Sequence, residues 1–382
     1  MFKLFAITYI IASIVAGKAV ATKNVTNKKY WLAMAFPIII FSLMYGLRDG
    51  WLIDYNIYED IYVHRDYIEG KLGWLTYIVF FYGKELGLSY NFVLVIFNAF
   101  LIVSFCAIIK PYKRYAYWIL PLFYFVSTMT ANFIAFYPAI GAMTLAMSLH
   151  IKKLESFNVV KTINQIFWLP LIFLLVAFGF HKASVLGLLF YALALIGDYR
   201  PSLIIPIYGL TFLFDNQRWL DILQLASLYI DFGSDSAFSN YANYINNADN
   251  FYSKDGNEIK DYGRSLFTYI RLFVANSLAV FLFYHWRIEN GVNNLKCKIL
   301  ELSSIALILT NVTAGVALFS RFALMMEVFL PILYAYAVNY GLKSRLSIYR
   351  FFAWIIILVL GYEYAADLYF LDVSDYKYIW NK

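Results

Sequence analysis

Stretches of about twenty apolar residues recur along this chain, separated by short loops in which lysine and arginine gather. A membrane span needs roughly 20 such residues, with about 17 to 25 usual. Runs at about 30–47, 90–109, 131–149, 267–286, 299–318 and 322–341 approach that length, and shorter ones lie at about 115–130, 166–180, 184–197, 202–214 and 350–366. Lipid offers no partner to an open backbone, so such runs fold as helices; short or broken ones survive only where protein or a water-filled cavity surrounds them. Residues 2–20 read as a first span rather than a cleaved signal, because Ala16-Gly17 leads into Lys18 and a lysine-rich loop with no soluble domain beyond.

The overall balance agrees. Hydrophobic residues make up 62% of the chain and charged residues 14%, whereas soluble domains run at about half apolar and about a quarter charged. A water-soluble fold of this composition would expose large apolar patches. That excludes an ordinary cytosolic enzyme, a disordered chain and a nucleic-acid binder. Cys106 and Cys297 provide neither a disulfide framework nor a metal cage.

Loop charge fixes the orientation. The loops carrying Lys18, Lys23, Lys28 and Lys29; Lys110, Lys113 and Arg114; Lys152, Lys153 and Lys161; Arg287, Lys296 and Lys298; and Lys343, Arg345 and Arg350 are placed in the cytoplasm by the positive-inside rule. The remaining connections, about 48–73, 215–266 and 367–382, hold more acidic than basic residues and face outward. The alternation closes only if about 74–88, with Lys84 and Glu85, does not cross. A charge at the bilayer centre costs roughly 2.5–3.5 kcal/mol, so that segment reads as a re-entrant or interfacial helix. The expected fold is an all-α polytopic bundle of about twelve spans, one domain over 1–382, with outer loops at about 48–73 and 215–266.

With this topology the unusual polar residues collect on the outer side. Arg48 and Asp49 close the second span, followed by Asp54, Tyr55 and Tyr58; His181 and Lys182 interrupt an apolar stretch; Arg321 lies between two long apolar runs. Ionisable groups at membrane depth are expensive and usually mark a pathway or a site. Each also has a plain structural reading: Arg48 snorkelling to headgroups, His181 satisfied at the interface, Arg321 as a polar turn. The segment 215–266, with Tyr241, Tyr244, Tyr252 and Tyr262 among Asn, Asp and Ser, suits carbohydrate, and equally a solvated loop with interfacial tyrosines.

Other chemistries lack their residues. His64, His150, His181 and His285 show no metal-ligand spacing, and there is no Asp-x-Asp triplet, Gly-x-Ser-x-Gly elbow or phosphate-cradling glycine loop.

Gly46-Leu47-Arg48 followed by Asp54-Tyr55 and Tyr58 resembles the signature of the EpsG family, Wzy-like polymerases of O-antigen, capsule and exopolysaccharide. Leu86-Gly87-Leu88-Ser89-Tyr90, Phe180-His181-Lys182-Ala183-Ser184 and Ser320-Arg321-Phe322 extend the resemblance in order along most of the chain. Three positions depart from it: Leu52 for a common glycine, Lys71-Leu72 for Glu-Pro, and Ala135-Phe136 for an Arg-Gln pair in the motif beginning at Asn132. The last removes an arginine suited to holding an anion.

The resemblance implies a GT-C-like, metal-independent glycosyltransferase with no cofactor, multi-pass in the bacterial cytoplasmic (inner) membrane. Its substrates would be an undecaprenyl-diphosphate-linked oligosaccharide donor and a lipid-linked repeat unit as acceptor, with membrane lipid around it, a chain-length regulator as protein partner and no nucleic acid. Diphosphate leaves as an anion and needs positive charge rather than a general acid, a task that fits Arg48 and Arg321 through bidentate charge-assisted bonds. His181 titrates near neutrality when unperturbed and is a candidate base; Asp54 competes for that role. Asp49, Tyr55, Tyr58 and Lys182 complete the expected substrate site. A ligase of related design and a transporter or flippase are the rival readings, the latter expecting charge spread through the bilayer depth.

Overall fold

The computed structural model describes residues 2–22, 24–50, 53–64, 72–130, 134–155, 168–185, 187, 200–212, 266–291, 295–312, 323–370 and 377–378. Nearly all of these are helical. In chain order the helices are α1 (Phe2–Val20), α2 (Asn27–Gly46), α3 (Ile53–His64), α4 (Trp74–Glu85), α5 (Tyr90–Ile109), α6 (Ala116–Thr130) and α7 (Phe136–Glu155). There follow α8 (Trp168–Phe180), α9 (Pro201–Thr211), α10 (Leu266–Glu289), α11 (Leu295–Val312), α12 (Leu330–Lys343) and α13 (Ser347–Phe370). Two short strands, β1 (Arg48–Asp49) and β2 (Lys377–Tyr378), pair antiparallel.

Four helical runs among the described residues are long and apolar enough to cross a membrane: Phe2–Val20, Asn27–Gly46, Tyr90–Tyr124 and Ser347–Ala366. Shorter apolar helices cover Phe136–Leu149, Leu169–Phe180 and Pro201–Thr211. The run Tyr90–Tyr124 is a hairpin. The Phe105 and Phe123 rings stack 3.9 Å apart, whereas eighteen residues of straight helix would separate them by about 27 Å. The chain reverses at the 3₁₀ turn Lys110–Tyr115, where Pro111 and a non-helical Tyr112 interrupt the helix.

Lipid supplies little apolar driving force between helices, so association depends on close contact and interhelical hydrogen bonds. Both are present. Tyr9 on α1 donates to the Leu120 carbonyl on α6 at 3.0 Å, and the tilted rings of Tyr9 and Phe41 join α1 to α2 with centroids 5.5 Å apart. Gly46 lets α2 meet α5 so closely that a Cβ there would lie 2.6 Å from the Val95 backbone.

These pairings give the bundle two chemically different ends. At one, Lys110 donates to Asn27 at 2.6 Å, bringing together the turns that hold Lys28, Lys29, Lys113 and Arg114. Tyr336 packs on Tyr115 and Trp286 at the same end, next to Arg287 and the α12–α13 turn. The opposite end carries Arg48, the strand pair and α3. There Lys3 donates to the Tyr369 carbonyl at 3.0 Å.

α4 has both its ends at this second end of the bundle. Thr76 donates to the Phe180 carbonyl, the last residue of α8, at 3.1 Å, and α4 leads directly into the start of α5. Its twelve residues reach about 18 Å, short of the roughly 30 Å hydrocarbon core. Lys84, the charge that argued against a crossing, donates to the Val63 carbonyl, at the C-terminal turn of α3 where cations are favoured.

Two expected spans differ in detail. Within the run at 131–149, Ile134–Ala135 form a turn and α7 begins at Phe136, because Pro138 cannot donate and its ring excludes the Ile134 carbonyl, fixing the first turn. The run at 322–341 is not one helix: 323–327 is helical, Val328–Phe329 is a turn, and α12 begins at Leu330. Pro331 is the cause, since its ring collides with the carbonyl of Glu327. The run at 184–197 and the outer loop 215–266 lie almost wholly outside the described residues.

Candidate functional site

The connection that follows α2 begins with a buried cation. α2 ends at Gly46, and Arg48, two residues on, is 1% exposed. Several contacts hold it there. Its backbone pairs with Tyr378 in β2. Its carbonyl accepts from the Asn91 side chain, and its guanidinium carbon lies 5.7 Å from the centre of the Tyr55 ring, within cation–π range.

Asn91 ties this corner together. Its amide nitrogen reaches the Arg48 carbonyl, the Tyr55 hydroxyl at 3.2 Å and the Gly46 carbonyl at 3.4 Å. One side chain in the first turn of α5 thus links the end of α2 to α3. Tyr55 is fully buried, its carbonyl accepts from the Tyr90 hydroxyl at 3.3 Å, and the two rings meet edge to face at 5.2 Å. Burial, with Glu59 beside it, pushes the Tyr55 phenol above its ordinary range, while Asn91 and Arg48 pull against that rise. The phenol therefore stays neutral at any working pH.

A layer of rings runs from this corner toward His181. Tyr90 meets Phe80 at 6.0 Å, Phe80 stacks on Phe97 at 6.0 Å, and Phe97 meets Phe180 at 5.6 Å. Tyr58 and Tyr62 join the same layer through Phe80. His181 follows Phe180 directly. Its N–H continues α8 by bonding the Ala177 carbonyl at 3.0 Å. The imidazole is partly exposed and stands edge to face with Phe136, centroids 5.0 Å apart. Lys182, on the 3₁₀ turn Lys182–Val185, is exposed.

Among the residues singled out from sequence, Arg48, Asp49, Tyr55, Tyr58, His181 and Lys182 share one end of the bundle through this layer. Asp49 pairs with Lys377 in the strand. Asp54 lies in the first turn of α3, and its side chain is outside the described set; Arg321 lies outside the described residues altogether. Tyr55 and Tyr58 were expected to shape a sugar site. In the structure Tyr55 packs beneath Arg48, and Tyr58 is half-buried against Phe80. No group of three or more His, Cys, Asp or Glu side chains suited to a metal ion occurs among the described residues.

The EpsG family model matches residues 31–378, nearly the whole chain. The chain belongs to the EpsG family. No curated protein and no solved structure gives a significant match.

The EpsG-like motifs have visible structural work at this end. Gly87 takes a φ of +71°, a conformation that favours glycine, and turns the chain between α4 and α5. Leu88 offers its carbonyl to the Tyr62 hydroxyl at 2.6 Å, Ser89 caps α5 by accepting from the Phe92 N–H, and Tyr90 supports Tyr55. At the departure from the EpsG pattern, Ala135 and Phe136 are each 1% exposed. The Phe136 ring of this apolar pair stands against the imidazole. Sequence reasoning missed Asn91; the signal available was an amide in the first turn of an otherwise apolar span.

Proposed function

We propose that this EpsG-family protein is a Wzy-type polysaccharide polymerase, a metal-independent glycosyltransferase of the bacterial cytoplasmic membrane. The observation that carries the reading is the placement of buried Arg48 and partly exposed His181 at one end of the bundle, bridged by a single aromatic layer. The family association with Wzy-type polymerases supports it. In this proposal the chain forms about twelve spans in a GT-C-like bundle, one domain over 1–382, with the site at the outer face.

The donor is a glycan on undecaprenyl diphosphate, and the acceptor is a sugar hydroxyl of another lipid-linked repeat unit. The hydroxyl oxygen forms the new bond to the anomeric carbon as the anomeric carbon–phosphate oxygen bond breaks, and the electron pair leaves with the diphosphate. Arg48 and Arg321 stabilise the charge developing there, with guanidinium forks matched to paired phosphate oxygens. His181 or Asp54 takes the hydroxyl proton. Arg48 is prepositioned for its task, because Asn91 and the strand pair hold its backbone before substrate arrives.

Deletion of the gene tests the proposal. The mutant should accumulate lipid-linked glycan of one repeat unit and lose longer chains on gels of surface polysaccharide. Unchanged chain lengths in a strain with no second polymerase refute it. A ligase would instead leave long chains on the carrier lipid, and a flippase would leave single units on the inner leaflet.

A further inference from the structure

A second polar locus lies on other helices. Glu327 is 8% exposed and ends the helical turn at 323–327, directly before the break that Pro331 imposes. The Thr310 hydroxyl on α11 donates to its carboxylate. A hydroxyl–amide ladder adjoins it: Tyr334 donates to Asn276 at 2.6 Å, Asn276 donates to the Tyr208 hydroxyl at 2.8 Å, and Asn311 donates to Thr211 at 3.0 Å. Four helices contribute, α9, α10, α11 and α12.

The ladder has a direction. Thr211 and Asn311 sit in the last turns of α9 and α11, which precede segments 213–265 and 313–322 in the sequence. Asn276 bonds Tyr208, one turn before Thr211 in α9 and so about 5 Å further into the bundle than Thr211. The polar groups therefore descend from the end assigned to the outer face into the bundle, and the carboxylate stands along the descent.

A carboxylate inside a membrane bundle is expensive and marks a working site by default. A discontinuous helix bearing polar groups at the break is a recurrent way to build a binding site in membrane proteins. Acceptor-only carboxylate oxygens surrounded by hydroxyls and amides match sugar hydroxyls, which donate and accept at once. We propose that Glu327, with Thr310 and the adjoining ladder, forms a subsite for sugar hydroxyls of the lipid-linked repeat unit. The inference rests on the polymerase reading and adds where the glycan is gripped.

The test uses two lipid probes and the full-length protein in nanodiscs. One probe is the lipid-linked repeat unit isolated from the deletion strain, and the other is bare undecaprenyl diphosphate. Glu327→Gln should bind the glycan lipid weaker by on the order of tenfold, the scale of one charge-assisted hydrogen bond, with bare diphosphate lipid bound as by wild type. Thr310→Val should show the same selective loss, smaller in size, and it decides the matter if Glu327→Gln does not fold. Undiminished binding of the glycan lipid by the variants overturns the proposal. So does a parallel loss for both lipids, which makes Glu327 a packing residue. If wild type polymerises and binds the glycan lipid while the variants match it, only this inference falls. If the deletion strain holds no such lipid, the polymerase reading falls first and this one with it.

Discussion

Asn91→Leu should disable the arginine corner without dismantling the bundle. The amide of Asn91 supplies the side-chain donor to the Arg48 carbonyl and reaches Tyr55 and Gly46 as well. Leucine has the same branched skeleton of four side-chain heavy atoms and fits an apolar helix, so the helix survives while the buried carbonyl loses that donor. A buried polar group left unsatisfied costs about 1–3 kcal/mol. If about 2 kcal/mol of that cost falls on the conformation that holds Arg48 in place, turnover drops about 30-fold, since each ~1.4 kcal/mol is a factor of ten.

Asn98→Leu provides the control. It is the same substitution two turns along α5, at a residue whose amide bonds the Leu94 carbonyl of its own helix at 2.7 Å. That variant should turn over like wild type. The assay is polymerisation in vitro with lipid-linked repeat units at matched protein levels, paired with thermal unfolding in detergent. Equal turnover in the two variants would refute the claim that Asn91 positions Arg48. So would a collapse of stability in Asn91→Leu large enough to explain its rate.

Gly46→Ala should destabilise by roughly 1–3 kcal/mol, the usual range for overpacking, because the added carbon meets the Val95 backbone at 2.6 Å; a melting temperature equal to wild type would contradict it. Tyr55→Phe should leave the shape of the pH–rate profile unchanged, since burial raises the phenol pKa and keeps it protonated across the working range; a new limb in the profile would count against this. Arg321→Lys should cost on the order of 10²-fold in turnover, the scale of losing one preorganised oxyanion donor, because lysine keeps the charge and loses the planar fork. A lysine variant within about twofold of wild type would make Arg321 a topological residue.

The limits of the first span and of the run at 90–109 were legible to the residue, since α1 covers Phe2–Val20 and α5 covers Tyr90–Ile109. Apolar length is a local property, and Ser89 and Lys110 bound the second of these runs in the sequence itself. The non-crossing segment was legible for the same reason: Lys84 and Glu85 are too costly for a bilayer centre. Arg48 and His181 could be singled out because an ionisable group beside apolar runs stands out without any fold. Pro331 was also visible, although the run around it was long enough to hide the break that it causes.

What the sequence left open is which helices touch. Asn91 and Glu327 look like incidental polar residues in apolar runs, and they gain meaning only from neighbours far along the chain. Asn91 faces Arg48 because Gly46 brings α2 and α5 into backbone contact. Glu327 meets Thr310 because α11 packs beside the broken helix. The strand pair joining Arg48 to Tyr378 links nearly opposite ends of the chain, and neither two-residue segment has a pattern of its own to announce it. Candidate spans follow from hydrophobic length, which one dimension records. The register of one helix against another depends on shape complementarity and interhelical hydrogen bonds, and these exist only once the helices are packed.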